Sequence, residues 1–326
     1  MITVEHLTKC YGDFLAVDDL SFEIEEGHVY GFLGPNGAGK STTMNIITGC
    51  LSATSGRVRI DGHDIFEEPG AAKRLIGYLP EQPPLYLNET PVEYLRFVGE
   101  AKGLRGGALE RQIAEVVEQT RLTGVRHRCI SALSKGYRQR VGIAQALLGN
   151  PKVIILDEPT VGLDPIQIIE IRDLIRQLGQ THTVILSSHI LSEVQTMCEK
   201  ILIIAKGKLI AFDAPENLER RLLSPSEITL TTEADEPTAR EILTGVDGIT
   251  ETQFTAGPDS LLTIHLRTDT HDIYRLSKAL FFAFAQKNTA LLEMALKKAN
   301  LEDIFLELTE GSGETKSSSE SKGAKA

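Results

Sequence analysis

The stretch HVYGFLGPNGAGKSTTMNIITGC, residues 28–50, sets the frame for the chain. It opens as a short strand, HVYGFL, turns through a glycine-rich run and continues as a helical pattern, STTMNIITGC. A G-x4-G-K-[ST] run between a strand and a helix is a phosphate-binding loop in the setting its chemistry needs. Here the loop is Gly34, Pro35, Asn36, Gly37, Ala38, Gly39, Lys40, Ser41 and Thr42. Its glycines let the backbone curl until several N–H groups point inward at phosphate oxygens. The helix starting near Lys40 adds the positive end of its dipole. Lys40 brings a point charge for the β- and γ-phosphates, and Ser41 a hydroxyl for Mg²⁺.

On either side, TVEHLTKCYG, SFEIEEG, RVRIDG, LIGYLP, VIILDE and TVILSSH read as strands, and KILIIAKGKLIAF as a hairpin turning at Lys206-Gly207. Helical patterns alternate with them, which is the mark of an α/β sheet. Residues 93–133 are mostly helical in pattern, broken at GLRGG, within a helical insertion spanning about 83–150. DAPENLERRLLSPSE is a connector, closing a first domain at residue 223. Residues 224–310 begin a new cycle, strand, helix, strand, strand, helix, strand, helix, the order of a small α+β ferredoxin-like unit. Its SKALFFAFAQK carries three phenylalanines, which serve either its own core or a homodimer contact or ligand sensor. The tail, residues 311–326, has no large apolar side chain and is expected to be disordered.

At 326 residues the chain is comfortable for two domains, and 41% apolar with 24% charged residues is an ordinary globular balance. A net charge of −11 argues against nucleic-acid binding by general basicity. Four cysteines, none in a CxxC pair, fit a reducing cytosol rather than a zinc site or disulfide framework. The N-terminal MITVEHLTKCYGDF lacks the form of a signal peptide, and the runs KVIIL, KILIIA and ALFFAFA are too short to span a bilayer. A soluble chain is expected; any membrane part must come from another polypeptide.

KVIILDEP places four apolar residues in a buried strand that ends at Asp157 and Glu158. Asp157 is placed to orient the Mg²⁺ shell, and Glu158 to accept a proton from an attacking water. His189 ends a further strand at the same sheet edge. Gln82, after LIGYLPE, either reaches the metal or the water or is simply solvated. Tyr11 either stacks on a purine or belongs to the core. LSKGYRQRVGIAQALLGN, residues 133–150, is a helix N-capped by Ser134, yet its entry is glycine-bearing, basic and polar, suited to an anion.

Taken in order, GPNGAGKST, Gln82, LSKGYRQR, VIILDEP, GLDP and SSH resemble the ATP-binding subunit of an ABC transporter, over roughly residues 1–218. The resemblance implies a P-loop NTPase cassette of class α/β: a parallel core sheet, an N-terminal antiparallel β subdomain and a helical subdomain. It makes Tyr11 the adenine-stacking residue, Gln82 the Q-loop residue facing a membrane partner, and Glu158 the general base. It also places Ser134, Gly136 and Gln139 in the signature, Asp164 in the D-loop, and makes His189 the switch histidine. The usual signature reads LSGGQ; Lys135 and Tyr137 depart from it, while Ser134 and Gly136 are retained. SKGYRQR, and NLEDIFLELT near the C-terminus, resemble the ABC-2-type export branch with its gliding-motility and multidrug ATP-binding proteins.

By the same resemblance, two chains, a homodimer or a pair of close paralogues, join head to tail. Ser134 of one then completes the γ-phosphate site begun by Lys40 of the other. ATP and Mg²⁺ are the implied ligands. The partner is a separate permease, docked through the Gln82 loop and the helical insertion on the inner face of the cell membrane. A soluble ABC ATPase working on ribosomes or nucleic acid is the alternative. One cassette, no heptad run and an acidic balance weigh against it.

Overall fold

Residues 1–221, 226–257, 261–268, 270 and 272–297 are described by a computed structural model. The expected tail and the NLEDIFLELT segment lie outside them. The first unit runs β1 (Ile2–Tyr11), β2 (Phe14–Ile24), β3 (Val29–Leu33), α1 (Lys40–Ile47), β4 (Ser55–Ile60), β5 (His63–Asp64), α2 (Pro69–Arg74) and β6 (Ile76–Leu79). It continues through α3 (Pro91–Ala101), α4 (Gly106–Gln119), α5 (Lys135–Leu147), β7 (Val153–Leu156), α6 (Pro165–Gly179), β8 (Thr183–Ser188), α7 (Leu191–Met197), β9 (Lys200–Ala205) and β10 (Lys208–Asp213).

Every residue of β3, β7 and β8 is buried, as short Val/Ile/Leu-rich runs are when a parallel sheet is covered on both faces. The sheet has the order β10-β9-β3-β8-β7-β6; its inner pairs are parallel and β10 closes one edge antiparallel to β9. The turn between β9 and β10 holds Lys206 and Gly207 at φ 50° and 79°. Two positive φ values in a two-residue hairpin match the twist of the flanking strands.

A second, antiparallel sheet has the order β2-β1-β4-β5. β2 starts at Phe14 rather than at the expected Ser21, because register shifts against β1 and Asp19 at φ 53° break the alternation that marks a strand. Phe22 of this sheet meets Phe32 of the parallel sheet edge to face, centroids 5.6 Å apart. Around them Ile2, Val4, Ile46, Ile155 and Ile185 bury one continuous core.

The helical insertion is carried by α3, α4 and α5. Thr90 and Glu93 form a capping box before α3, with Pro91 in its first turn. GLRGG does break the helical run, and α4 begins inside it at Gly106. Between α4 and a 3-10 turn at Ile130–Ala132 the backbone is not helical, so the insertion is less helical than its pattern. No helix of the described residues is long and apolar enough to cross a membrane.

The first compact unit closes at Pro215, within the stretch read as a connector, where α8 (Pro215–Arg221) forms; the sequence reading puts that boundary at 223. The second unit contains β11 (Ser226–Thr232), α9 (Glu236–Thr244), β12 (Glu251–Ala256), β13 (Leu262–Thr268), α10 (Ile273–Gln286) and β14 (Leu291–Lys297). This is the expected β-α-β-β-α-β order; the helix expected after it lies outside the described residues. Its antiparallel sheet, β12-β13-β11-β14, buries Ile228, Leu230, Ile264 and Leu266 with Leu280 and Phe284 of α10. Of the three phenylalanines, Phe284 is core, whereas Phe281 and Phe282 are exposed.

Candidate functional site

In the parallel sheet β8 lies between β3 and β7. The carboxyl ends of these three strands therefore share one edge, where ligands bind in open α/β sheets. From β3 the chain enters the glycine-rich loop. A Cβ on Gly34 would lie 2.3 Å from the Ile204 carbonyl oxygen, and one on Gly39, at φ 102°, would lie 2.5 Å from that of Ala16. Only glycine lets the loop seat this closely.

Lys40, the first residue of α1, is buried; its Nζ donates to the carbonyls of Gly34 (2.7 Å) and Pro35 (3.2 Å). Burial pushes its ammonium below the usual lysine range, while the carboxylates of Glu158 and Asp157 act in the opposite direction. Ser41 Oγ donates to Asp157 Oδ1 (3.3 Å), which also accepts from Ser187 Oγ (2.5 Å). The same serine hydroxyl accepts the Glu158 N–H (2.8 Å) and holds this buried residue at φ 48°. A left-handed glutamate is a strained arrangement of the kind found at working sites. Its side chain spans the site: Oε2 lies 3.0 Å from His189 Nδ1 and Oε1 lies 3.7 Å from Lys40 Nζ.

These groups face a cavity of about 460 Å³. Of the expected residues, Tyr11, Asn36, Gly37, Ala38, Gly39, Lys40, Ser41, Thr42, Glu158 and His189 line it. Gly34 and Pro35, whose carbonyls accept from Lys40, do not line it, and Asp157 is reached through Ser41. Gln82 is exposed and does not line the cavity; its neighbour Glu81 does. Phe14, Ala16 and Val161 also line it and were not singled out by sequence. For Phe14 a signal existed, since it pairs with Tyr11 across the Gly12-Asp13 turn.

Ser134 caps α5 by accepting the Tyr137 N–H (3.4 Å), and Asp164 caps α6 by accepting that of Gln167 (2.9 Å). Both are exposed and neither lines the cavity. Gly136 is packed so that a Cβ would lie 2.5 Å from Gln167 Oε1, and Lys135 Nζ rests against Gly162. The turn at Ser134–Gly136 thus leans on Gly162 and the first turns of α6 in its own chain. Gln139, expected among the nucleotide contacts, is only 6% exposed, inside the packed part of α5 rather than beside Ser134 at its open start.

A divalent cation fits this set. Among the described residues no group of three or more His, Cys, Asp or Glu gathers to hold a metal. Ser41 and Asp157 nevertheless present adjacent hard oxygens, enough for an ion that shares its shell with substrate phosphates and water.

The family described as ABC transporter matches residues 17–161. The linearmycin resistance ATP-binding protein LnrL of Bacillus subtilis is 34% identical over 310 residues, covering 95% of this chain and 98% of the relative. The bacitracin transport ATP-binding protein BcrA of Bacillus licheniformis is 40% identical over 223 residues, 68% of this chain and 72% of the relative. Among solved structures, the dimeric post-hydrolysis ATP-binding cassette MJ0796 bound to ADP and Pi superposes with a TM-score of 0.59 at 28% identity. It covers 66% of this chain and 98% of that one. With a phosphate loop, a buried carboxylate pair and a histidine converging on one strand edge, the chain belongs to the ABC transporter family, as an ATP-binding subunit that couples ATP hydrolysis to transport.

Proposed function

We propose that the chain drives an exporter by closing head to tail on a second copy, or a close paralogue, around ATP and Mg²⁺. One observation carries this reading. Ser134, the exposed cap of a helix dressed for an anion, is absent from the cavity that Lys40, Glu158 and His189 share in the same chain. A γ-phosphate held between the two helix starts of different chains would be stabilised by both dipoles, and its loss on hydrolysis would release the pair. The related cassette MJ0796, solved as a dimer, supports the pairing.

Within each pocket, Tyr11 would stack on the adenine and Lys40 would balance the β- and γ-phosphates. Glu158 would take a proton from the attacking water, with His189, 3.0 Å from its Oε2, orienting that carboxylate. Ser41 and Asp157, joined by Gln82 on closure, would hold Mg²⁺, which when bound neutralises charge on the phosphates.

The permease is a separate chain. The loop after Gln82 exposes Tyr86 and Leu87, and Phe97 of α3 lies beside Tyr86 with ring centroids 5.1 Å apart. This apolar patch suits a membrane partner and supports a position at the cytoplasmic face of the membrane. Relatives named for linearmycin resistance and bacitracin transport support export over the ribosomal or nucleic-acid alternative. Residues 224–310 are an accessory domain. The test is the mass of Glu158→Gln in solution with MgATP, alone and with its permease. A dimer is expected, lost in Glu158→Gln with Ser134→Asp. A strictly monomeric ATP-loaded protein overturns the proposal.

A further inference from the structure

Behind Glu158 and His189 lies a buried carboxylate that none of the motifs claims. Glu193 of α7 is 3% exposed, four residues past His189. Its Oε2 accepts a hydrogen bond from Thr160 Oγ1 (2.6 Å), and its Oε1 lies 3.4 Å from Arg172 Nη2 of α6. Thr160 is itself buried, two residues past Glu158. The Arg172 Nε is buried with no hydrogen-bond partner among the described residues. One turn further along α6, Arg176 donates to the Thr196 carbonyl (2.8 Å), fastening α6 to α7 a second time.

Stability is a poor account of this cluster. Removing a carboxylate and part of a guanidinium from water is costly, and apolar side chains of similar volume often pack such a space at no loss. The unpartnered Nε adds a further penalty. What the cluster supplies is geometry. The two oxygens of one carboxylate are divided between the loop that carries Glu158 and the helix α6, and the carboxylate's own helix begins two residues after His189. Glu193 thus ties the loop that carries Glu158 to the helix that follows His189, whose Nδ1 stands 3.0 Å from Glu158 Oε2.

We propose that Glu193 is a positioning residue for ATP hydrolysis, registering the Glu158 loop against the His189 helix through its hydrogen bond from Thr160. The proposal rests on the roles given above to Glu158 and His189. It names no new contact with nucleotide, so binding and turnover separate in its test.

Steady-state MgATP turnover, nucleotide affinity and thermal unfolding of the full chain are compared for Thr160→Val, Thr160→Ser and Glu158→Gln. Valine keeps the shape of threonine and deletes the donor. The expected result is a kcat lowered roughly ten- to a hundredfold, the size of effect that a misplacement of about 1 Å produces. KM and ATP affinity should stay within about twofold, since binding groups are untouched. Thr160→Ser, which keeps the donor, should restore most of the loss. The pH profile of kcat should move in Thr160→Val as the Glu158–His189 pair loosens. If Thr160→Val does not fold, Glu193→Gln, which keeps the volume but can accept from only one of the two partners, is read by the same split.

If Glu158→Gln is inactive while Thr160→Val turns over like the parent, Glu193 positions nothing and the proposal is overturned with the base intact. Equal losses for valine and serine, tracking a lower unfolding temperature, also overturn it, since the cluster is then only structural. Undiminished turnover in Glu158→Gln fails the base itself.

Discussion

Replacing Glu158 by glutamine keeps the volume of a buried side chain and deletes its charge and basicity. A positioned general base contributes about 10²–10⁴ in rate, or about 2.7–5.4 kcal/mol of barrier at roughly 1.36 kcal/mol per tenfold. Binding should move the other way. The carboxylate stands 3.7 Å from Lys40 Nζ, where a triphosphate must also be balanced. At an effective dielectric of about 20, unit charges some 4 Å apart interact by about 4 kcal/mol before desolvation is counted. Removing the competing anion should leave MgATP bound at least as tightly. Single-turnover hydrolysis gives the first quantity and equilibrium titration with a fluorescent nucleotide the second. A pH dependence follows from Lys40, whose ammonium is pushed down by burial and supported by Glu158. Without that support Lys40 releases its proton at lower pH, so the alkaline loss of ATP binding by the free protein should begin earlier in the variant. A rate within threefold of the parent, or a fall matched by weaker binding, would refute the assignment of the base.

Three further outcomes are expected. Gly39→Ala must displace a Cβ from 2.5 Å off the Ala16 carbonyl at φ 102°, whereas Gly37→Ala, at φ 81° in open space, meets only backbone strain. ATP affinity should fall at least about tenfold for the first, and its denaturation midpoint should show a loss of about 1–3 kcal/mol or more. Tyr11→Ala should weaken ATP binding by about 1–3 kcal/mol, the worth of one stacked base, while inorganic triphosphate, measured in competition, is unaffected. His182, held neutral by burial with a pKa below the usual histidine value, gives full stability above about pH 6.5. That stability drains away as pH falls from there toward the folded pKa, because the unfolded chain takes the proton first. The unfolding temperature should drop more between pH 7.5 and 5.5 in the parent than in His182→Gln.

Much of this molecule could be read from the linear order of its residues. The loop from Gly34 to Thr42 was legible because glycine, lysine and serine sit at fixed offsets between a strand and a helix, and that setting is local. The Lys206-Gly207 hairpin and the Ser134 cap were legible for the same reason. Glu81 and Val161 were not, since each lines the cavity by where its loop is carried rather than by any pattern around it. Gln139 shows the converse: the motif nominates it, but the packing of α5 buries it.

Composition, motif order and periodicity thus settle which chemical groups the chain owns and which local elements bear them, because those depend on neighbours a few residues apart. Their meeting depends on folding. Ser41 reaches Asp157 across 116 positions and His189 reaches Glu158 across 31, and both contacts exist because parallel crossovers stack β3, β8 and β7 with their carboxyl ends on one edge. The link from Thr160 through Glu193 to Arg172 belongs to the same class: three ordinary residues in the sequence, joined only where two helices and a loop pack together.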